Sequence, residues 1–155
     1  MVIRRAQSRD IPRILALLTQ VNLVHHQGRP DLFKKNTKYD DSDLEEILTD
    51  ETRPVFVAAD ETDYVLGYGF CIFERTPDDR ILTDVKTLYI DDICVEESAR
   101  GQHIGKQIYE AITAFARENG CYHITLNVWS LNPTAQKFYE SLGMKPMKVT
   151  METLL

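Results

Sequence analysis

The most restrictive feature of this sequence is a strand–helix–strand segment over residues 85–128. Residues 85–95 are rich in β-branched and aromatic side chains, which is typical of a strand. Apolar residues then recur at helical spacing over 103–119, and strict alternation over 122–128 indicates another strand. Such crossovers are almost always right-handed and join parallel strands, so the two strands are predicted to be parallel.

The other segments make the predicted sheet mixed. In chain order they predict a strand at VIRRA, a helix to about residue 24, an irregular segment over 25–40, a short helix after Ser42, strands over 55–59 and 64–73, a helix from Pro133 and a final strand over 147–155. The strands over 55–73 form an antiparallel hairpin. We therefore predict an α/β fold with helices on both faces, in one domain covering residues 1–155.

Charge and the length of the apolar runs exclude two classes of protein. The chain has 18 Lys and Arg residues against 24 Asp and Glu residues, a formal net charge of −6. Without a basic face it is not expected to bind nucleic acid. No apolar run reaches the roughly 20 residues that cross a bilayer, and no secretory signal is seen, so we expect no membrane association and a cytoplasmic location.

Cysteine and histidine spacing indicates neither disulfides nor a metal site. Cys71, Cys94 and Cys121 are odd in number and widely separated, so we expect buried thiols. His25 and His26 are adjacent, and neighbouring side chains diverge on a helix or strand, which makes a poor chelating pair.

The loop over residues 99–106 follows a strand and opens a helix. Free amides at a helix start favour an anion, Gly101 and Gly105 allow close backbone approach, and Arg100 and Lys106 add positive charge. The loop is not a Walker motif, because the required Ser or Thr after the lysine is missing. Phosphate binding and an ordinary structural turn remain equally open from this segment alone.

A second segment, over residues 132–144, lies one strand further along. Tyr139 shares a helical stripe with Ala135 and Leu142. Alone, this spacing favours a core aromatic residue whose hydroxyl group is hydrogen-bonded.

Together the two segments resemble the GNAT superfamily of N-acetyltransferases. Arg100 to Gly105 looks like its acetyl-CoA motif [QR]-x-x-G-x-[GA], and Asn132 to Met144 looks like its N-x-x-A-x-x-x-Y-x-x-x-G-F segment. His103 departs from the usual first glycine, and Met144 replaces Phe. An outward-pointing His103 side chain in helical conformation would still let its N–H reach a phosphate. The resemblance implies a GNAT-like, mostly antiparallel sheet with a splayed parallel strand pair.

The resemblance also implies a cofactor site for acetyl-CoA, the acetyl-donor cosubstrate. Val95 would bind the pantetheine arm through its backbone, amides of residues 103–105 with Arg100 would hold the pyrophosphate, and Asn132 would contact the pantetheine region. The residues so implied are Ile93, Cys94, Val95, Arg100, Gly101, Gln102, His103, Ile104, Gly105, Lys106, Asn132, Ala135 and Tyr139.

Three catalytic residues follow from the same resemblance. Tyr139 would protonate the departing CoA thiolate. Asp91 and Asp92 look like the acidic pair of the polyamine acetyltransferase branch, as candidates for the base. Adjacent strand residues point to opposite faces, so we favour Asp91, which shares the parity of Val95, although a β-bulge would reverse the choice. A structural carboxylate paired with Lys or Arg is the equal alternative.

The implied function is acetyl transfer from acetyl-CoA to a primary amine of a small molecule or peptide. The alternative is a non-catalytic acyl-CoA-binding or sensing module of the same fold. Acceptor specificity is expected from the N-terminal third, and Trp129 would line the cleft or the core. Whether the protein forms a homodimer stays open. The candidate acceptor residues are His25, His26, Arg29, Asp31 and Phe33.

Overall fold

The computed structural model describes all residues, 1–155. Its elements are β1 Val2–Arg5, α1 Ile11–Gly28, α2 Asp41–Leu48, β2 Val55–Ala59, β3 Val65–Glu74, β4 Thr87–Val95, α3 Ile104–Glu118, β5 His123–Leu126 and α4 Pro133–Ser141. Short 3-10 turns over 8–10 and 97–99 precede α1 and follow β4. No helix is long and apolar enough to cross a bilayer.

The five strands form one sheet in the order β1-β2-β3-β4-β5. The first three pairings are antiparallel, and β4 and β5 are parallel, as the crossover predicts. Pairing between β4 and β5 ends at Ile90 and Leu126, whereas β4 continues to Val95. The two strands therefore separate over the last five residues of β4, which confirms the splayed pair.

Each face of the sheet carries its own hydrophobic core, which confirms helices on both faces. On one face, Leu17 and Leu44 from α1 and α2 pack with Tyr68 of β3. On the other face, Ile108 and Ile112 from α3 pack with Ile90, Leu88 and other sheet residues. Alternate strand residues supply the two cores, as the pleat requires.

Two of the predicted elements differ from the structure. Helix α1 continues to Gly28 rather than ending near residue 24. Leu131 packs on Gly28 so closely that an added Cβ would lie 3.0 Å from its Cδ1 atom, and the extra turn includes His25. The predicted strand over 147–155 does not form, since no element pairs with the outer edge of β5. Alternating residues alone do not make a strand without a partner.

Candidate active site

A cleft of about 990 Å³ opens where β4 and β5 separate. Every catalytic and cofactor-binding residue expected from the sequence lines it except Gln102, which is exposed outside it. The residues brought together are Asp91, Asp92, Ile93, Cys94, Val95, Arg100, Gly101, His103, Ile104, Gly105, Lys106, Asn132, Ala135 and Tyr139. Two segments that are more than 25 positions apart thus meet at one opening in the sheet.

The free edge of β4 presents backbone groups to this cleft. The amide of Glu96 donates to Leu66 O on β3, at 2.7 Å. Successive residues of a strand direct their N–H and C=O groups to opposite sides. The N–H and C=O of Val95 therefore point away from β3, towards the gap that β5 leaves.

The loop between β4 and α3 leaves a row of amides free. No amide of residues 101–106 donates to a backbone carbonyl, and Gln107 is the first residue of α3 to donate, to His103 O at 3.1 Å. Gly101 has φ +82°, a conformation that favours glycine. Arg100 is exposed beside these amides. This part of the cleft, residues 99–106 with α4, is called the loop end.

The conformation of His103 differs from the helical one considered above. It is left-handed, with φ +60° and ψ +20°, immediately before α3. Glycine adopts this region at no steric cost, which explains why the related motif has glycine there. The imidazole is exposed, so its bulk is accommodated in solvent.

Gly105 is required by close packing rather than by its φ angle. A Cβ built there would lie 3.1 Å from Phe138 Cζ of α4 and 3.6 Å from Val95 Cγ2 of β4. The absent side chain thus allows α4 to approach the start of α3. This packing closes one side of the loop end.

Helix α4 positions Tyr139 in the cleft. Asn132 caps the helix by accepting a hydrogen bond from the Ala135 amide at 3.2 Å, which leaves its side-chain NH₂ group free to donate. The Tyr139 hydroxyl makes no hydrogen bond within the chain, so it is not the satisfied core hydroxyl that its helical stripe suggests. Burial, together with the nearby charge of Asp92, raises the pKa of Tyr139 well above its ordinary value.

The expectation that Asp91 and Asp92 face opposite sides of the sheet is wrong. Phe70 pairs with Asp92 and Cys71 pairs with Ile90, so Asp91 is an extra residue in a β-bulge. A bulge re-aims side chains and is common next to active sites. Both carboxylates consequently face the side of α1 and α2.

The two carboxylates have different partners. Asp91 accepts hydrogen bonds from Lys38 Nζ at 2.8 Å and from Tyr39 Oη at 2.7 Å, one at each oxygen. Asp92 accepts one from Tyr68 Oη at 2.7 Å and has no cationic partner. Burial raises the pKa of Asp92 above its ordinary value.

Aromatic side chains form the other end of the cleft. The His25 and Phe33 ring centroids are 4.8 Å apart, and Phe33 meets Trp129 edge-on at 4.9 Å. Burial lowers the pKa of His25, so its imidazole is neutral at pH 7. Together with Lys38, Asp91 and Asp92, these three residues are called the aromatic end.

The other N-terminal candidates lie elsewhere. His26 Nδ1 contacts Phe33 O at 2.8 Å, outside the cleft lining. Arg29 is paired with Asp31 at 2.8 Å and with Glu152 of the C-terminal tail at 2.6 Å. These residues hold the segment in place and do not line the cleft.

Sequence reasoning missed Lys38, Tyr39 and Tyr89. Lys38 and Tyr89 line the cleft, whereas Tyr39 does not line it but donates a hydrogen bond to Asp91. Nothing local marks Lys38, which lies in a polar segment 53 positions before its partner Asp91. No group of three or more His, Cys, Asp or Glu side chains is placed to hold a metal ion.

An open mixed sheet whose parallel pair splays beside a helix start with free amides defines the GNAT fold class. The chain belongs to the Acetyltransferase (GNAT) family, whose sequence model matches residues 19–144. It is 27% identical to thialysine N-ε-acetyltransferase from Bos taurus, over 94% of this chain and 85% of that protein.

Solved structures share the fold. A mutant of the BH1408 protein from Bacillus halodurans matches with a TM-score of 0.96 and 35% identity, over 100% of this chain and 99% of that chain. Aminoglycoside N-acetyltransferase AAC(6')-Iy in complex with CoA matches with a TM-score of 0.75 and 17% identity, over 99% of this chain and 98% of that chain. At this identity the second match shows the shared fold alone.

Proposed function

We propose that this protein transfers an acetyl group from acetyl-CoA to a primary amine of a small molecule or peptide. The observation that carries the proposal is the meeting of an unpartnered Tyr139 hydroxyl with a carboxylate pair in one cleft, next to six free amides. The family and the amine-acetylating relative from Bos taurus support acetyl transfer in general. The single domain 1–155 would contain the whole site.

The loop end fits the pyrophosphate and pantetheine parts of acetyl-CoA. Amides of residues 103–105 at the positive end of α3, with Arg100 beside them, provide anion-binding groups. The outward N–H and C=O of Val95 would hydrogen-bond the extended pantetheine arm in the way that they would pair with a neighbouring strand. The free NH₂ group of Asn132 lines the same cleft and would contact the pantetheine region.

The aromatic end would hold the acceptor amine. When bound, acetyl-CoA supplies an acetyl thioester whose carbonyl carbon the amine nitrogen attacks, forming a C–N bond while the C–S bond breaks. Burial raises the pKa of the Cys94 thiol to about 12, so the thiolate needed for an acyl-enzyme is scarce. Direct transfer from donor to acceptor is therefore proposed.

Asp92 is our proposed base. A lysine-like amine with a pKa near 10.4 is neutral only about once in 2,500 molecules at pH 7, so its proton has to be removed. Asp92 has an oxygen without a protein partner and a raised pKa, both of which favour proton acceptance. Both oxygens of Asp91 are already engaged by Lys38 and Tyr39, so it remains the second candidate.

Tyr139 would stabilise the leaving sulfur. Its pKa is raised by burial, whereas an ordinary thiol titrates near 8.5. The proton accordingly stays on the phenol at equilibrium, and the hydroxyl acts mainly by donating a hydrogen bond to the charge that develops on sulfur. This refines the role of full proton donor implied by the family resemblance.

A non-catalytic acyl-CoA-binding or sensing module is the alternative. Binding alone needs neither the carboxylate pair nor Tyr139. Thermal melting with acetyl-CoA tests the part that both functions share, and a ligand at 100 times its Kd adds roughly 2.7 kcal/mol of stability. A thiol-release assay with polyamines, amino acids, aminoglycosides and basic peptides distinguishes the enzyme from the sensing module. A sensing module would show a higher melting temperature with acetyl-CoA but would release no CoA.

Arg100→Ala tests the cofactor site directly. Loss of a solvent-exposed charge near a phosphate should weaken acetyl-CoA binding roughly five-fold in calorimetry and reduce its dependence on salt. Arg117→Ala is the matched control, since Arg117 is exposed at the far end of α3 and does not line the cleft. Equal binding by both variants contradicts the placement of Arg100 beside the phosphates.

The C-terminal tail is where we propose that a homodimer forms. Met147, Val149 and Met151 alternate with polar residues and are 72%, 74% and 85% exposed. The outer edge of β5 is unpaired in the same chain. If the tail of one copy paired with this edge in a second copy, its apolar side chains would be covered and the unpaired edge of β5 would gain backbone hydrogen bonds. Sedimentation of the full chain measures the dimer. The cytoplasmic location stays a prediction.

A further inference from the structure

A side chain of the protein itself already occupies a position suited to an ammonium ion. Lys38 Nζ lies 2.8 Å from Asp91 Oδ1 and 3.4 Å from the Asp91 carbonyl oxygen, at the aromatic end of the cleft. The other carboxylate oxygen of Asp91 accepts the Tyr39 hydroxyl. An incoming second cation would therefore find both oxygens of Asp91 engaged and would meet the positive charge of Lys38.

The net charge of the aromatic end is small. Asp91 and Asp92 contribute two potential negative charges, and Lys38 offsets one of them. His25 is neutral at pH 7, because burial lowers its pKa. At most one negative charge remains, on Asp92, so one ammonium group on the acceptor balances this end of the cleft.

The walls around these charges are apolar. Phe33 and Trp129 meet edge-on with centroids 4.9 Å apart, and His25 stacks against Phe33 at 4.8 Å. Trp129 is 44% exposed, which leaves ring surface available to a ligand. An apolar or aromatic body of the acceptor would cover this surface, whereas a polyamine chain would place a further charge against it.

We infer that Lys38 restricts the acceptor to amines with one positive charge on an apolar or aromatic body, and disfavours diamines and polyamines. This inference rests on the proposed acetyl transfer. Lys38 acts as a specificity-determining residue by neutralising Asp91. Loss of its charge would free Asp91 to bind a second ammonium group.

Three amines test this inference. 1-Aminobutane and 1,4-diaminobutane share a chain length and differ by one charge, and 2-phenylethylamine adds an aromatic body. Thiol release gives kcat/KM for each amine, and calorimetry with the CoA-bound protein gives each Kd. The wild type should prefer 2-phenylethylamine to 1-aminobutane, and 1-aminobutane to the diamine.

The variants isolate the charge of Lys38. Lys38→Met should raise the diamine-to-monoamine ratio on the order of five-fold, the scale of a partly exposed ion pair. Lys38→Arg keeps the charge and should retain the wild-type ratio. Lys35→Met is the matched control, because Lys35 is an exposed lysine of the same segment outside the cleft. A melt of each variant checks its folding.

Several outcomes overturn the inference. A wild-type preference for the diamine contradicts it, as does an unchanged ratio in Lys38→Met or a failure of all three amines to bind. Failure of the proposed function has a different appearance. In that case acetyl-CoA and the amines bind, the Kd ratio still responds to Lys38→Met, and no thiol is released.

Discussion

The two ends of the cleft are built from different parts of the polypeptide. The loop end comes from two continuous segments, with free backbone amides from the loop before α3 and side chains from helix α4. The aromatic end consists of side chains from three separate regions, among them Lys38 and its partner 53 positions away. Backbone recognition tolerates side-chain changes, whereas side-chain recognition does not. Acceptor selectivity in such a fold can therefore change while the cofactor site is retained.

The proposed chemistry lies where the two ends meet. Tyr139 comes from the loop end, and Asp92 comes from the aromatic end, close enough for its charge to raise the pKa of Tyr139. This coupling gives a direct way to test whether the loop end and the aromatic end have separate roles. Substitutions at the junction should reduce turnover, while substitutions at either end should change the affinity for one ligand.

Tyr139→Phe should have the largest effect. The substitution keeps the ring and removes a hydroxyl that has no partner in the chain. Because the hydrogen bond to sulfur strengthens in the transition state, kcat should fall on the order of 10²-fold, with acetyl-CoA affinity nearly unchanged. Steady-state kinetics and calorimetry on one preparation measure both quantities.

Tyr122→Phe controls for general effects of losing a phenol. Tyr122 is 76% exposed before β5 and does not line the cleft. Its loss should leave kcat and melting temperature unchanged. If Tyr139→Phe is instead fully active but less stable by about 1 kcal/mol, the hydroxyl is structural and has no part in the reaction.

The loop end could be predicted because its signals are local. Arg100 to Gly105 and Asn132 to Tyr139 are continuous motifs, each placed between elements that hydrophobic periodicity identifies. The splay that brings them together is implied by the family resemblance, whereas the order of the strands predicts only that β4 and β5 are parallel. The left-handed conformation of His103 is the exception, because a histidine does not mark a positive φ as a glycine does.

The aromatic end could not be predicted in the same way. The bulge at Asp91 depends on how β4 pairs with β3, so the sequence of β4 alone does not reveal it. The contact between Phe33 and Trp129 joins residues almost a hundred positions apart. The strand predicted over 147–155 is wrong for a related reason, since its alternation is strand-like but strand formation depends on pairing with another segment, which the local pattern does not reveal.

Asp92→Asn should have the second largest effect and separates the two carboxylates. If Asp92 accepts the proton, its loss should lower kcat/KM about 10- to 100-fold for an amine with a pKa near 10.4. The loss should be greatest at low pH, where deprotonation limits the rate. Profiles of kcat/KM against pH, measured for both Asp92→Asn and Asp91→Asn, make the comparison.

Asp91→Asn should change acceptor binding more than turnover, because Asp91 is held by Lys38 and Tyr39. A severe loss of kcat in Asp91→Asn, with Asp92→Asn near wild type, would reverse the two roles. If neither substitution matters, water and desolvation of the amine carry the proton.

The smallest expected effect is on stability, and its sign distinguishes Asp92 from a structural carboxylate. Burial raises the pKa of Asp92, so the folded state binds its proton more tightly than the unfolded state does. Stability then falls as pH rises from the unfolded pKa, near 3.9, through the raised value. Asp92→Asn removes this penalty and should be about 1 kcal/mol more stable at pH 7, a rise of roughly 2–4 °C in Tm.

Asp10→Asn provides the opposite case. Burial alone would raise the pKa of Asp10, but hydrogen bonds from Arg4 at 2.8 and 2.9 Å and from the Gln7 amide at 2.8 Å hold it below its ordinary value. Its contribution is present above the unfolded pKa and is lost as pH falls, so Asp10→Asn should destabilise the protein at pH 7. Urea unfolding between pH 4 and 8 should show the advantage of Asp92→Asn growing with pH. A destabilised Asp92→Asn variant at pH 7 would mean that Asp92, like Asp10, serves the fold.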